Sequence, residues 1–376
     1  MSKNWAHVKL IKILLVFFLI AFITLAIAFF YSTKPYRINN VQFQSSIGES
    51  LKIFIYNEST FSDPVSGCWY DSGDYVVFLH RNVQSFYYLS LAYNYAKTPT
   101  VKSDIKLVLD RQKNCIDIML SKNYKQFGDQ KSHGINIPPL FNSIFYSRNN
   151  YQFKQNEGKD VYLLYGLSLN NLGYAEKAKE WLQQSERRTD KTISENCCEE
   201  GVLTITPKNM ISIEKIYEND LVQTKPNWGF SFSNISFLKS KKYNEIKSYL
   251  TDVSKLWKEN SSIFNYIGGN YDIAGTIAFE RLYARDTGDN SFKELSNSMM
   301  NYLQGENSYN INFLNYPNKY HPCDFFGNCK LEDTLINGVD ETGKFETNRK
   351  DVWRLTEVQL IGQAQYVLAE ILYNNL

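Results

Sequence analysis

Two aspartates, Asp71 and Asp74, stand three apart within the run Gly67-Cys68-Trp69-Tyr70-Asp71-Ser72-Gly73-Asp74-Tyr75-Val76-Val77-Phe78. A glycine between them lets the backbone turn tightly and come close to a ligand, so both carboxylates can address one small object such as a water molecule. Trp69, Tyr70 and Tyr75 bracket the pair with flat faces of the kind a sugar ring stacks on. The same residues also suit a surface turn with its aromatics folded into the core. Asp71 then serves as an N-cap or turn former and Asp74 as an ion-pair partner. A third carboxylate, Glu357, lies near the C-terminus in Trp353-Arg354-Leu355-Thr356-Glu357-Val358. It is either a chemical group or an exposed acid in the first turn of a helix, where the dipole favours it.

The elements that would position these groups are helical. Residues Ile47 to Tyr56 read as a helix leading into the Asp71/Asp74 turn. Val83, Phe86, Tyr87 and Leu91 then recur at helical spacing, as do Ile105, Val108, Leu109, Ile116 and Met119. The same period predicts helices over Val161 to Leu182, Tyr243 to Trp257, Ile273 to Ala284, Phe292 to Leu303 and Leu355 to Leu372. Alternating strands are scarce and there is no βαβ rhythm, so the fold class expected is all-α, with helix layers around a common centre. A toroid and an α-solenoid both satisfy this. No self-similarity appears at the period of about 33 to 47 residues that helical repeat arrays show, which favours the toroid. The loops Tyr124 to Lys159 and Tyr309 to Asp351 are too long for mere connections and are expected to line a cleft.

The chain has 376 residues, of which 43% are hydrophobic and 15% aromatic, enough for a large core. Its 41 basic and 39 acidic residues are scattered, leaving no electrostatic footprint for nucleic acid. From Ile13 to Tyr31 nineteen residues carry no charge, and Lys3, Lys9 and Lys12 precede them. The length suits a membrane-spanning helix, and the lysines favour a cytoplasmic N-terminus with the body exported. Ala26-Ile27-Ala28 also permits cleavage as a signal peptide, which would make the protein secreted. The expected organisation is residues 1–32 as anchor or signal, 33–44 as linker and 45–376 as one domain.

Six cysteines in an exported chain permit disulfides. Cys323 and Cys329 are the first candidate pair, and Cys68 and Cys115 are candidate partners for the adjacent Cys197 and Cys198. No zinc-ligand spacing exists. Asn57, Asn234 and Asn260 open glycosylation sequons, relevant only in a glycosylating host.

The first run resembles the W-Y-D-A-G-D-Y-V-K-F motif of glycoside hydrolase family 9, the inverting cellulases, with Ser72 in place of alanine. The segment around Glu357 resembles that family's Y-V-x-N-E-V. Between them, Asn265-Tyr266-Ile267-Gly268-Gly269-Asn270 is similar to its W-G-S-N stretch and Leu282-Tyr283-Ala284-Arg285-Asp286-Thr287-Gly288-Asp289 to its L-A-Y-x-L-T-G-D. Tyr302-Leu303-Gln304-Gly305-Glu306-Asn307 is similar to Y-L-L-G-x-N-P. The resemblance covers about residues 45 to 376 and implies an (α/α)6 barrel acting on a β-linked glucan or amino-sugar glycan. It assigns Asp74 as general base, Asp71 as the carboxylate that helps hold the water, and Glu357 as general acid. Inversion needs base and acid about 6.5–9.5 Å apart so that a water fits between them. A wall formed by Trp353 would keep the acid protonated. Trp69, Tyr70, Tyr75, Trp228, His321 and Trp353 are the candidate substrate contacts. No cofactor is implied, except that some family members bind calcium, for which no motif locates a site here.

Departures from the pattern bear on activity. Either Asn348 stands where an aspartate precedes the acid or the register is slipped by one, and Gln363-Ala364 replaces Asn-Ala. The substrate-binding H-x-R is reduced to His321-Pro322-Cys323-Asp324. These leave two other readings open: a glycan-binding descendant without catalysis, and a different helical-toroid carbohydrate enzyme. Cys198 to Val222 is more strand-like and faintly resembles the opening of an intein-type Hint module, although a whole module would need many more residues.

Overall fold

The computed structural model describes residues 16–24, 41–56, 58–59, 65–71, 75–129, 159–187, 243–259, 264–320, 331–340, 342–346, 348 and 353–375. The strand-like segment 198–222, the cysteines at 197, 198, 323 and 329, and most of the loop 124–159 lie outside them.

Helix α1 (Gly48–Tyr56) precedes the aspartate run, and strand β1 (Tyr75–Phe78) follows it and passes directly into α2 (Leu79–Tyr95). Helix α3 (Pro99–Ser121) starts where Thr98 Oγ1 accepts the Val101 N–H at 3.3 Å and Pro99 supplies a preset first turn. Strand β2 (Gln126–Asp129) then pairs antiparallel with β1, Tyr75 opposite Asp129 and Phe78 opposite Gln126. There follow α4 (Lys159–Asn171), α5 (Ala175–Arg187), α6 (Tyr243–Glu259), α7 (Gly269–Thr287), α8 (Lys293–Gln304), the single turn α9 (Trp353–Thr356) and α10 (Leu360–Asn375).

The helices form two layers. Helices α2, α7 and α10 are buried along nearly their whole length, and α7, α10, α2 and α4 pack side by side in that order. Against them lie α3 on α2, α5 on α4, and α6 and α8 on α7. The outer members are amphipathic, as α3 shows by burying Ile105, Leu109, Gln112, Ile116 and Met119 at intervals of three and four.

Two long helices expected from periodicity are in fact broken. The run from Val161 to Leu182 is a hairpin, because Gly173 takes φ 82 and the Tyr174 N–H returns to Leu169 O at 2.9 Å. An antiparallel partner continues the apolar spacing, so the pattern alone does not reveal the turn. The run from Leu355 to Leu372 breaks at residues 357–359.

Cys68 is bonded to Cys115, joining the segment before Asp71 to the middle of α3. This corrects the expectation that each would pair with Cys197 or Cys198, since tertiary packing sets the two α-carbons 5.2 Å apart. Closing a 47-residue separation restricts the unfolded chain by about 4 kcal/mol on an entropic account.

At the N-terminus residues 16–24 are helical, with Phe17, Phe18 and Phe22 more than two-thirds exposed. No helix among the described residues is long and apolar enough to cross a membrane.

Two carboxyls in the helix layers make stability depend on pH. Burial, opposed by the Ser50 hydroxyl donating at 3.0 Å, raises Glu370 on α10 to about 7. Burial likewise raises Asp272 on α7 to about 7, although Tyr266 OH donates to it. An acid whose folded value lies above its unfolded one stabilises the fold at low pH and loses that contribution as pH rises through the folded value. The melting temperature should therefore fall from about pH 5 to about pH 8, and Glu370→Gln should flatten the fall. Parallel melting curves for the two proteins across that range would show that Glu370 contributes nothing.

Candidate active site

Asp71 sits in a loop whose two ends are clamped. Buried Asn82, on the first turn of α2, accepts the Trp69 N–H at 2.9 Å and donates to Trp69 O and Phe78 O, each at 2.9 Å. Gln112 of α3 donates to the same Asn82 oxygen. Just beyond, the Asp71 N–H reaches Val76 O at 2.9 Å. One amide thus fixes the chain on both sides of the aspartate run. The Asp71 carboxylate lies 3.8 Å from Arg81 Nε, both side chains being about 15% exposed.

Glu357 is only 3% exposed and occupies the break between α9 and α10. A break in a buried helix leaves backbone groups that must find other partners. Six of them here are met from elsewhere. Leu355 O accepts from Gly338 N, Thr356 O from Tyr320 N and Glu357 O from Asn337 N. Val358 N donates to Tyr320 O and Gln359 N to the hydroxyl of Tyr271. Finally, Leu360 N donates to the backbone oxygen of Asp71 at 3.1 Å. That last bond joins the two carboxylate-bearing segments, which lie near opposite ends of the chain.

The carboxyl of Glu357 accepts at Oε2 from Asn337 Nδ2 at 3.3 Å and Gln359 Nε2 at 3.5 Å. Asn337 belongs to the buried stretch 334–340, which Gln363 holds by accepting Leu335 N at 2.8 Å and donating to Asp333 O and Ser50 O. The glutamine at a position where the resemblance expects asparagine therefore has a full set of partners. Gly338, at φ 102, leaves room for Asn270, whose side chain a β-carbon there would approach to 2.7 Å. Lys319 is 7% exposed and donates to Leu314 O and Leu331 O, pinning the chain on both sides of 321–330.

The structure thus brings Asp71 and Glu357 into one neighbourhood. Asp74, Trp228 and His321 lie outside the described residues. Tyr75 contributes backbone to β1, and Trp353 opens α9 four residues before Glu357. Trp69 and Tyr70 are corrected as stacking platforms. Trp69 is fully buried, its ring centroid 4.9 Å from that of Phe54, and Tyr70 is 6% exposed in the same core, so neither offers an open face. The Asn82 clamp and the disulfide at Cys68 draw this strand inward. The reading of Glu357 as an exposed first-turn acid is corrected as well, since it is neither exposed nor helical.

Asn82, Tyr271 and Asn337 carry the geometry and were not singled out in the sequence. The available signal was a polar residue on an otherwise apolar helix face, as with Asn82 between Phe78 and Phe86. Among the described residues, no three His, Cys, Asp or Glu side chains gather as a metal site requires.

No family model matches the chain, and no curated protein sequence is significantly similar to it. Solved structures are. The cellulase Cel9M of C. cellulolyticum is 15% identical with a TM-score of 0.60, over 89% of this chain and 98% of that one. A Bacteroides ovatus GH9 structure is 12% identical with a TM-score of 0.57, over 87% and 82%. Endoglucanase CelQ from Clostridium thermocellum, complexed with cellotriose, is 14% identical with a TM-score of 0.59, over 87% and 70%. At such identities the likeness is one of fold: the chain has the (α/α)6 barrel of these cellulases, the class its sequence predicts.

Proposed function

We propose that this chain is an inverting glycoside hydrolase of the family 9 type, cleaving a β-linked glucan or an amino-sugar glycan. One observation carries the reading. The loop of Asp71 and the break that holds Glu357 meet at the bond from Leu360 N to Asp71 O, so two carboxylate-bearing segments remote in sequence lie against each other. The cello-oligosaccharides bound to a structural neighbour point to the substrate class.

In this reaction Asp74 takes a proton from a water that attacks the anomeric carbon, while the Asp71 carboxylate helps hold that water. Glu357 gives its proton to the departing glycosidic oxygen and regains one from solvent, to which Asp74 releases the proton it took. Attack from the face opposite the leaving group inverts the anomeric centre. The purified protein, incubated with β-glucans, chitosan and xylan, should release sugar from at least one. Early NMR spectra of the product should show the anomer opposite to the bond cleaved. Retention would refute the mechanism, and inertness toward the whole panel would favour the glycan-binding reading.

We place the body outside the cell, held by the apolar segment at residues 13–31. Its support is the charge-free run after three lysines and the exposed apolar helix at residues 16–24. Protease added to intact cells should digest the body, and a protected body with an accessible N-terminus would reverse this orientation.

A further inference from the structure

The break at Glu357 strips the backbone of partners that a continuous helix would supply. In such a helix the Glu357 carbonyl would accept from residue 361, and the Gln359 N–H would donate to residue 355. One phenol reaches both groups instead, sharing the carbonyl with Asn337 N. Tyr271, in the first turn of α7 and 4% exposed, donates its hydroxyl to Glu357 O at 3.0 Å and accepts the Gln359 N–H at 2.9 Å. The helical alternative is closed off, because Leu355 O is already taken by Gly338 N.

The ring is admitted by a matching gap in α10. A β-carbon on Gly362 would fall inside the Tyr271 ring, so α10 can lie against α7 here only with glycine at that position. Burial raises the phenol well above its usual range, and the charges of Glu357 and Asp71 add to this. The hydroxyl therefore remains a neutral donor and acceptor throughout the working pH range.

We infer that Tyr271 is a positioning residue for Glu357: its hydroxyl wedges the backbone open between residues 357 and 359 and so fixes where the acid points. It acts through the backbone of Glu357 and touches no reacting atom. The inference rests on Glu357 being the proton donor of the proposed hydrolysis.

Tyr271→Phe removes the hydroxyl and keeps the ring, and the full chain carrying it can be compared with wild type on two substrates. On an unactivated cello-oligosaccharide, kcat should fall by about 10- to 100-fold with little change in KM, the scale expected of a misplaced catalytic group. On an aryl β-glycoside with a nitrophenolate leaving group, whose departure needs little protonation, the loss should be several-fold smaller. The alkaline limb of the pH–rate profile, which reports the proton donor, should move as well. Tyr283→Phe on the same helix is the control, because the Tyr283 hydroxyl bonds Asp289 Oδ2 at 3.1 Å and not the break. It should lower stability without changing the ratio between substrates. Hydrogen exchange at the Gln359 amide should quicken in Tyr271→Phe alone.

Equal losses on both substrates, no loss in a folded protein, or unchanged exchange at Gln359 would overturn the inference. A Tyr271→Phe protein that does not fold would overturn it too, since the hydroxyl would then hold the fold and not the acid. Wild type inert toward both substrates would remove the hydrolase reading and this inference with it. An active wild type with a leaving-group-blind Tyr271→Phe would remove the inference alone.

Discussion

Asp74→Asn is expected to lower hydrolysis by about 10²–10⁴-fold on every substrate, because the attacking water must be activated whatever group departs. The substitution keeps the size of the side chain and removes its basicity. Glu357→Gln should behave differently. Gln retains an acceptor for Asn337 Nδ2 and Gln359 Nε2 but carries no acidic proton. Its loss should be as severe on natural glycans and much milder on aryl glycosides with good leaving groups. Rates of both variants on a leaving-group series decide the matter. A uniform loss for Glu357→Gln would strip that residue of the acid role and leave the fold unaffected, and full activity in Asp74→Asn would end the inverting mechanism.

Asn82→Ala should be the most damaging single change away from the carboxylates. It leaves Trp69 N and Trp69 O unpaired in the core, together with the amide of Gln112, and removes the side-chain bond to Phe78 O. Each unsatisfied buried group costs about 1–3 kcal/mol, so with partial relaxation the total should be on the order of 4 kcal/mol. Urea unfolding should show a lower midpoint with an unchanged slope. The folded fraction should also lose turnover equally on all leaving groups, since the clamp positions the aspartate run and not the acid. A destabilisation below about 1 kcal/mol would mean that the strand is held chiefly by the disulfide and by packing.

The helices over 48–56, 99–121, 243–259 and 293–304 were legible because one face of each is buried, and burial at a period of 3.6 writes itself into the order of apolar residues. The hairpin at Gly173 was less legible. The packed partner continues the same spacing, and only the left-handed glycine marks the turn. The disulfide was illegible, since four cysteines other than Cys323 and Cys329 leave several pairings and only packing brings Cys68 to Cys115.

At the site the division is sharper. The sequence by itself singled out the candidate carboxylates, through an Asp-Ser-Gly-Asp run flanked by aromatics and a glutamate in a motif far downstream. It also determined the helical class of the scaffold. The tertiary structure alone decided that Trp69 is core and that the helix opens at Glu357. Nothing in Leu355-Thr356-Glu357-Val358-Gln359-Leu360 forbids a continuous helix, since it holds no proline or glycine. The opening exists because Gly338, Asn337, Tyr320, Tyr271 and Asp71 satisfy its backbone groups from other parts of the chain. A buried N–H or C=O requires a partner but does not specify one nearby in sequence, so no local pattern records the choice.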